Sequence, residues 1–289
     1  MHAEPVVPVN VVLLGADSAS TSALVDRAAQ HGWHLRYPKS PDGNGHHVLL
    51  WSAGEGPRVE LSATAPAGHV LHSRASSPSL VALRNALDDA DVVCLVLDGD
   101  SVQDWFSHRD VQRTRRRLRV HEISMLVRAT ATDRMRSGHE LPALVLAVTS
   151  QVDGVTVNAL RELVPVAFSS GADTLVALPG NAAAPFHFAV GHVVAGQLAG
   201  RGAALHTGIG RLDALTRQIT GTRVGSRKRA RLEAQRGKLS AGLVAEQEAS
   251  ARLRHLMRVT QRRLHGLPFF HDGRTIDPAI ALGRRRYDA

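Results

Sequence analysis

Three short stretches of this chain are apolar almost without interruption: VNVVLL at 9–14, DVVCLVLD at 91–98 and PALVLAVT at 142–149. They are too short for buried helices, rich in valine, and bounded by glycine or polar turn residues, so they read as strands. A strand that is apolar on both faces must be covered on both faces. That requirement points to a mainly parallel sheet flanked by helices. The intervening segments supply the cover. Segment 18–31 has Ala23, Leu24, Ala28 and Ala29 on one side, and 77–90 opens with Ser77 as N-cap ahead of Pro78. A long helical region follows over 102–137, interrupted or kinked within its length, with further helices at 155–163 and 183–199. Segments 46–52 and 58–64 flank AGEGP and read as a hairpin, and 164–169 reads as another strand. Strands alternating with helices at this spacing mean an α/β domain.

Charge divides the chain. Residues 1–200 carry 16 basic and 19 acidic side chains, and 201–289 carry 19 and 7. The net charge of +9 is therefore −3 in the first part and +12 in the second. The expected division is an α/β domain at 1–200 and a basic helical extension at 201–289. In that extension Gly202, Gly208 and Gly210 mark a linker-like stretch, 211–220 and 226–265 are helical, and 266–289 is irregular. Only three of the 35 basic residues are lysine, and this arginine bias fits a GC-rich bacterial genome.

Several chemistries are excluded. Cys94 is the single cysteine, so no intrachain disulfide can form, and within its apolar strand it reads as a small hydrophobe rather than a nucleophile. Sixteen histidines lack metal spacing: His46 and His47 point to opposite faces of a strand, and His187 and His192 are five apart. No metal site is expected. Aromatics at 4% are too few for a platform that stacks single-stranded bases. The uncharged run 174–200 is interrupted by proline, asparagine and histidine and reads as a buried helix, not a span. With no targeting signal at the start, a cytoplasmic setting is expected.

The first strand leads into GADSASTS at 15–22, where the phosphate-loop consensus G-x4-G-K-[ST] would stand. Gly15 and Ser22 match, while Ser20 replaces the second glycine and Thr21 the lysine. The hairpin's second strand runs into APAG at 65–68, where a D-x-x-G motif would stand; Gly68 matches and Ala65 replaces the aspartate. The strand at 142–149 runs into SQVD, where [NT]-K-x-D would stand; Asp153 matches, and Ser150 and Gln151 do not. VPVAFSSGAD, 164–173, resembles the last strand and its base loop, with Ser169 and Ser170.

In the order and spacing of these strings, residues 9–200 resemble a Ras-like P-loop GTPase domain. The resemblance implies a three-layer α/β fold with a mainly parallel sheet. It also implies a nucleotide site made of Gly15, Ser20, Thr21, Ser22, Gly68, Asp153, Ser169 and Ser170. The same comparison speaks against turnover. Phosphoryl transfer relies on positioning and electrostatic stabilisation, and losing one preorganised donor costs about 10²-fold. Three charged groups are missing, from three motifs. The expectation is therefore a pseudo-GTPase with a vestigial site, no catalytic residues and no cofactor; the alternative binds GTP or GDP with Mg²⁺. An active but atypical GTPase would need charge from elsewhere, such as Arg113–Arg119 or a partner's arginine. The structural alternative is that Gly15 serves a tight turn, Asp17, Ser18 and Ser20 cap a helix, and Asp153 lies in a turn.

The basic extension is where a partner is expected. Leu232, Leu239, Leu243, Leu253, Met257 and Leu264 follow heptad-like spacing, with Glu246, Ser250 and Thr260 on the same seam. The expected contact residues are Arg227, Lys228, Arg229, Arg231, Arg236, Arg252, Arg254 and Arg258. A protein with an acidic surface, such as an active GTPase or an assembly component, is the preferred partner. Nucleic acid and anionic membrane are the alternatives.

Overall fold

The computed structural model describes residues 6–15, 18–37, 45–54, 57–66, 70, 77–108, 120–150, 174–271 and 274–284. Each apolar run becomes a strand: β1 is Val6–Gly15, and β2, His34–Tyr37, follows the helix α1, Ser18–Gln30. β3 (Gly45–Ser52) and β4 (Arg58–Ala65) form the expected hairpin, pairing Leu49 with Leu61 and Trp51 with Val59. β5 (Val92–Leu97) and β6 (Ala143–Val148) are buried at every position. β7 is Thr174–Ala177, and β8 (Phe269–His271) and β9 (Arg274–Ile276) come near the end of the chain.

These nine strands, among the described residues, form one sheet in the order β2-β3-β4-β1-β5-β6-β7-β8-β9. The four central pairings, from β4 through β1, β5 and β6 to β7, are parallel, and the outer ones are antiparallel. Strand alternation divides the core. Val9, Val11, Leu13, Cys94, Val145 and Leu175 face one way, and Val12, Leu14, Leu95, Leu146 and Val176 the other.

The second face is covered by α2 (Pro78–Asp88), α3 (Gly99–His108) and α4 (Val120–Arg136). α2 starts as its sequence dictates. Ser77 Oγ accepts from the Leu80 amide at 3.2 Å, Pro78 follows, and Leu80, Leu83 and Leu87 turn inward. The helical region expected over 102–137 is described as α3 and α4; residues 109–119 between them, with Arg113–Arg119, lie outside the described residues. The first face is covered by α1 and by two long helices, α5 (Ala184–Thr220) and α6 (Arg227–Leu264), with a short α7 (Pro278–Arg284) beside them. The result is three layers, α/β/α, compatible with a P-loop-like fold. Among the described residues no helix is long and apolar enough to cross a membrane.

Three expectations are corrected. The linker-like stretch at 201–210 is helix, because α5 runs unbroken through all its glycines to Thr220. Its antiparallel partner α6 supplies the packing that offsets poor intrinsic propensity. The tail at 266–289 is not irregular where described. β8 and β9 extend the sheet beyond β7, with Phe269 in one core and Phe270 in the other. The uncharged run 174–200, expected as a buried helix, is α-helix only from Ala184; its first residues, Thr174–Ala177, form β7 beside β6, with Leu175 and Val176 alternating between the two cores. Segments 155–163 and 164–169 lie outside the described residues.

Candidate functional site

In open α/β sheets ligands gather outside the carboxyl ends of the strands, where the connections diverge to either side. Here that place is the end of β1, since the chain builds β4 on one side of it and then crosses to β5 on the other. Gly15 is buried and still paired in the ladder with Val96. Two residues later α1 begins at Ser18, so Ser18 to Ser22, five of the eight residues of the phosphate-loop string, are already helical. Helical amides bond within the helix and cannot wrap a phosphate beyond the first turn.

Within α1, Thr21 shares the inward stripe with Leu24, Val25 and Ala28, and it is 1% exposed. The residue that replaces the phosphate-binding lysine thus belongs to the core face. Ser20 is buried, Ala19 is exposed and Ser22 is half-buried. Ala65, in place of the metal-side aspartate, ends β4 as a buried methyl paired opposite Gly45. Gly68, Gln151, Asp153, Ser169 and Ser170 lie outside the described residues. The structure therefore brings Gly15, Ser20, Thr21 and Ser22 to one corner of the sheet.

Beside that corner is a polar tie that sequence reasoning missed. The Thr149 amide donates to the Leu97 carbonyl at 2.9 Å, and its hydroxyl donates to the same oxygen at 3.2 Å. The Gly99 amide donates to Ser150 Oγ at 2.7 Å. A Cβ at Gly99 would stand 2.7 Å from the Ser150 carbonyl oxygen, so this close approach requires glycine. From α1, Arg27 donates to the Thr149 carbonyl. The first residue of the SQVD string is thus engaged in fastening β6 to the start of α3. Its only sequence signal was the glycine directly after a buried strand. Asp98 and the exposed Asp100 follow β5 at the same edge.

Cys94 and His187 are packed in the core. Cys94 is fully buried, and burial pushes its thiol pKa up. His46 is exposed and His47 buried, as alternation on β3 requires. His187 is buried in the first turn of α5 with ring centroids 5.5 Å from Trp33 and 4.8 Å from Trp51. Burial, with Arg263 and His31 adding to it, lowers its pKa to about 4. Among the described residues no group of three histidine, cysteine, aspartate or glutamate side chains could hold a metal ion.

The second candidate surface is an arm. Up to Ala195, α5 packs in the core; in α6 the buried positions run from Ser250 to Leu264. Over 196–249 only Gly208 and Ile219 are buried. At 1.5 Å per residue the free part of each helix is roughly 37 Å long. Leu198, Arg201, Leu205, Gly208, Leu212, Leu215 and Ile219 step along α5 by alternate threes and fours. This heptad seam faces Leu232, Leu239, Leu243 and Glu246 on α6. Arg201 and Glu246 pair across it at 2.6 Å.

The expected contact residues are divided along this arm. Arg227, Lys228, Arg231 and Arg236 are exposed near its tip, and Arg229 is half-buried and paired with Glu233 at 2.9 Å. Arg252, Arg254 and Arg258 are exposed where the arm meets the sheet domain. Arg227 and Arg258 are roughly 46 Å apart along the helix, so the set cannot form one patch. No protein-family model matches this chain, and no curated protein matches it either.

Proposed function

We propose that this chain is a catalytically inactive, GTPase-like regulatory or scaffold protein of a bacterial cytoplasm, acting through contacts made by its helical arm. The observation that carries the reading is Thr21. It sits on the core stripe of α1, in a helix that starts two residues after Gly15. The order and direction of β3, β4, β1, β5, β6 and β7 support descent from a P-loop-like domain. The methyl of Ala65 and the engaged Ser150 support the loss of nucleotide chemistry at the same edge. What remains is a three-layer body that holds a long, exposed, basic helical hairpin. The arm's partner carries negative charge.

Calorimetric titration with GTP, GDP and ATP in the presence of Mg²⁺ tests this. The expected outcome is no saturable binding in the micromolar range and no phosphate release. Micromolar binding of GTP with measurable turnover overturns the reading.

A further inference from the structure

Basic charge concentrates at the far end of the arm. Residues 211–238 hold nine basic side chains against Asp213 and Glu233, a net of +7. On α6, Arg227, Arg231 and Lys238 stand four and eleven positions along the helix, within about 40° of one face, and Arg223 precedes them in the turn. All four are exposed. The positive end of the α6 dipole lies at the same tip, and its first turn has no acidic residue. Ser226 caps it, with Oγ accepting from the Arg229 amide at 3.2 Å.

The surroundings of this charge select among polyanions. The leucines of both helices are consumed in the seam, and within 211–238 Val224 is the one exposed large hydrophobic, at 77%. A helix lying on a membrane needs a continuous apolar face to bury; beyond Val224 the arm exposes only Ile209 and Val244 as large hydrophobics. Protein interfaces draw their energy from aromatic and apolar anchors, yet residues 196–264 contain no Phe, Tyr or Trp. The same lack excludes base stacking on a single strand. Duplex phosphates need neither anchors nor aromatics, only arginine, lysine, small hydroxyls and a helix N-terminus.

We infer that the arm tip, through Arg223, Arg227, Arg231 and Lys238, binds the phosphate backbone of duplex nucleic acid without reading its sequence. The inference rests on the arm being the working surface proposed above, and it is independent of whether the sheet domain binds nucleotide.

The test is fluorescence anisotropy of the full chain with a labelled duplex of about 30 base pairs, titrated between about 50 and 200 mM salt. Parallel arms use anionic vesicles containing phosphatidylserine, and a polyglutamate peptide. The wild type is expected to bind the duplex, with log K falling linearly in log salt. The variant R223Q/R227Q/R231Q/K238Q is expected to bind roughly 100-fold more weakly, with the slope shallower by about 3 to 4. R84Q/R136Q, exposed on α2 and α4 across the sheet from the arm, is expected to lie within about threefold of wild type at the same salt, because those residues stand off the proposed tip. Circular dichroism checks that both variants keep their helices. Absence of duplex binding, an unchanged salt slope in the tip variant, or tighter binding to vesicles or polyglutamate each overturns the inference. The nucleotide titration fails or succeeds separately.

Discussion

Two side chains show how single positions decide between chemistry and packing. A lysine in a phosphate loop reaches into solvent-filled space above a strand end; Thr21 instead points with Leu24 and Val25 into the core. Restoring the consensus residue is therefore expected to damage the protein. Thr21→Lys buries an unpaired ammonium and is expected to cost about 3 kcal/mol, with no gain in GTP binding. Thermal melting and a nucleotide titration of the variant check this; an unchanged melt would show that the side chain faces solvent. His187 offers a second test. Its ordinary pKa is 6.5, and burial among Trp33, Trp51 and Phe186 lowers it to about 4 in the folded chain. Above pH 6.5 the group is neutral folded or unfolded and contributes no pH dependence. As pH falls from 6.5 toward 4, the unfolded chain binds the proton and the folded chain does not, so stability is lost, by about 3 kcal/mol in all. His187→Leu removes this dependence. Urea unfolding of both chains at neutral pH and near pH 4 is expected to show the variant losing less on acidification. Parallel loss in the two chains would refute the assignment.

At the scale of elements, the glycines of α5 behave in two ways. Gly208 backs onto the facing helix, where an added Cβ would stand 2.5 Å from Leu243 Cδ2; Gly202 and Gly210 meet nothing within 4 Å. Alanine at either open position is expected to stabilise by about 0.5–1 kcal/mol, through a less flexible unfolded chain. Gly208→Leu is expected to destabilise the hairpin by about 1–3 kcal/mol through overpacking. Denaturant melts of the three variants check the signs, and stabilisation by Gly208→Leu would mean the helices do not approach there. These glycines also explain what the sequence concealed. The buried strands β1, β5 and β6, the β3–β4 hairpin and the capped start of α2 could be read directly, because period and caps are local signals. The seam residues of α6 could be read from their spacing. The continuation of α5 could not, because four glycines between 200 and 210 outweigh local helix propensity. Only a helix 45 residues further on, paired through Arg201 and Glu246, holds that segment straight. β8 escaped notice for a related reason, since three residues carry no period and it forms by adding to the edge of β7. At the candidate site, the missing consensus residues were legible. The Arg27, Gly99, Thr149 and Ser150 tie was not, because it joins three elements far apart in the chain.

For the whole molecule, the arm and the core divide the chain differently from its charge. Net charge changes sign near residue 200, but the core does not end there. Leu253, Leu256, Met257, Leu264, Phe269 and Leu282 pack in the same cluster as Val11, Leu24 and Val145. A fragment ending at residue 200 loses that cover from a face of the sheet holding Trp33, Trp51 and Phe186. Burying one large apolar side chain contributes about 1.5–3 kcal/mol, so the loss of six is comparable to the roughly 5–15 kcal/mol that holds an ordinary domain together. The fragment 1–200 is therefore expected not to fold cooperatively. Removing the middle of the chain is a milder change. Replacing 204–246 with a short glycine-serine turn deletes Gly208 and Ile219 as its only buried residues and rejoins two helices that are already neighbours at Arg201. That shortened chain is expected to melt cooperatively within a few degrees of the full one, while losing the duplex binding assigned to the tip. Calorimetric melts of the two truncations decide the point. A cooperative transition for 1–200, or none for the shortened chain, would place the structural boundary at the charge change rather than across the two helices.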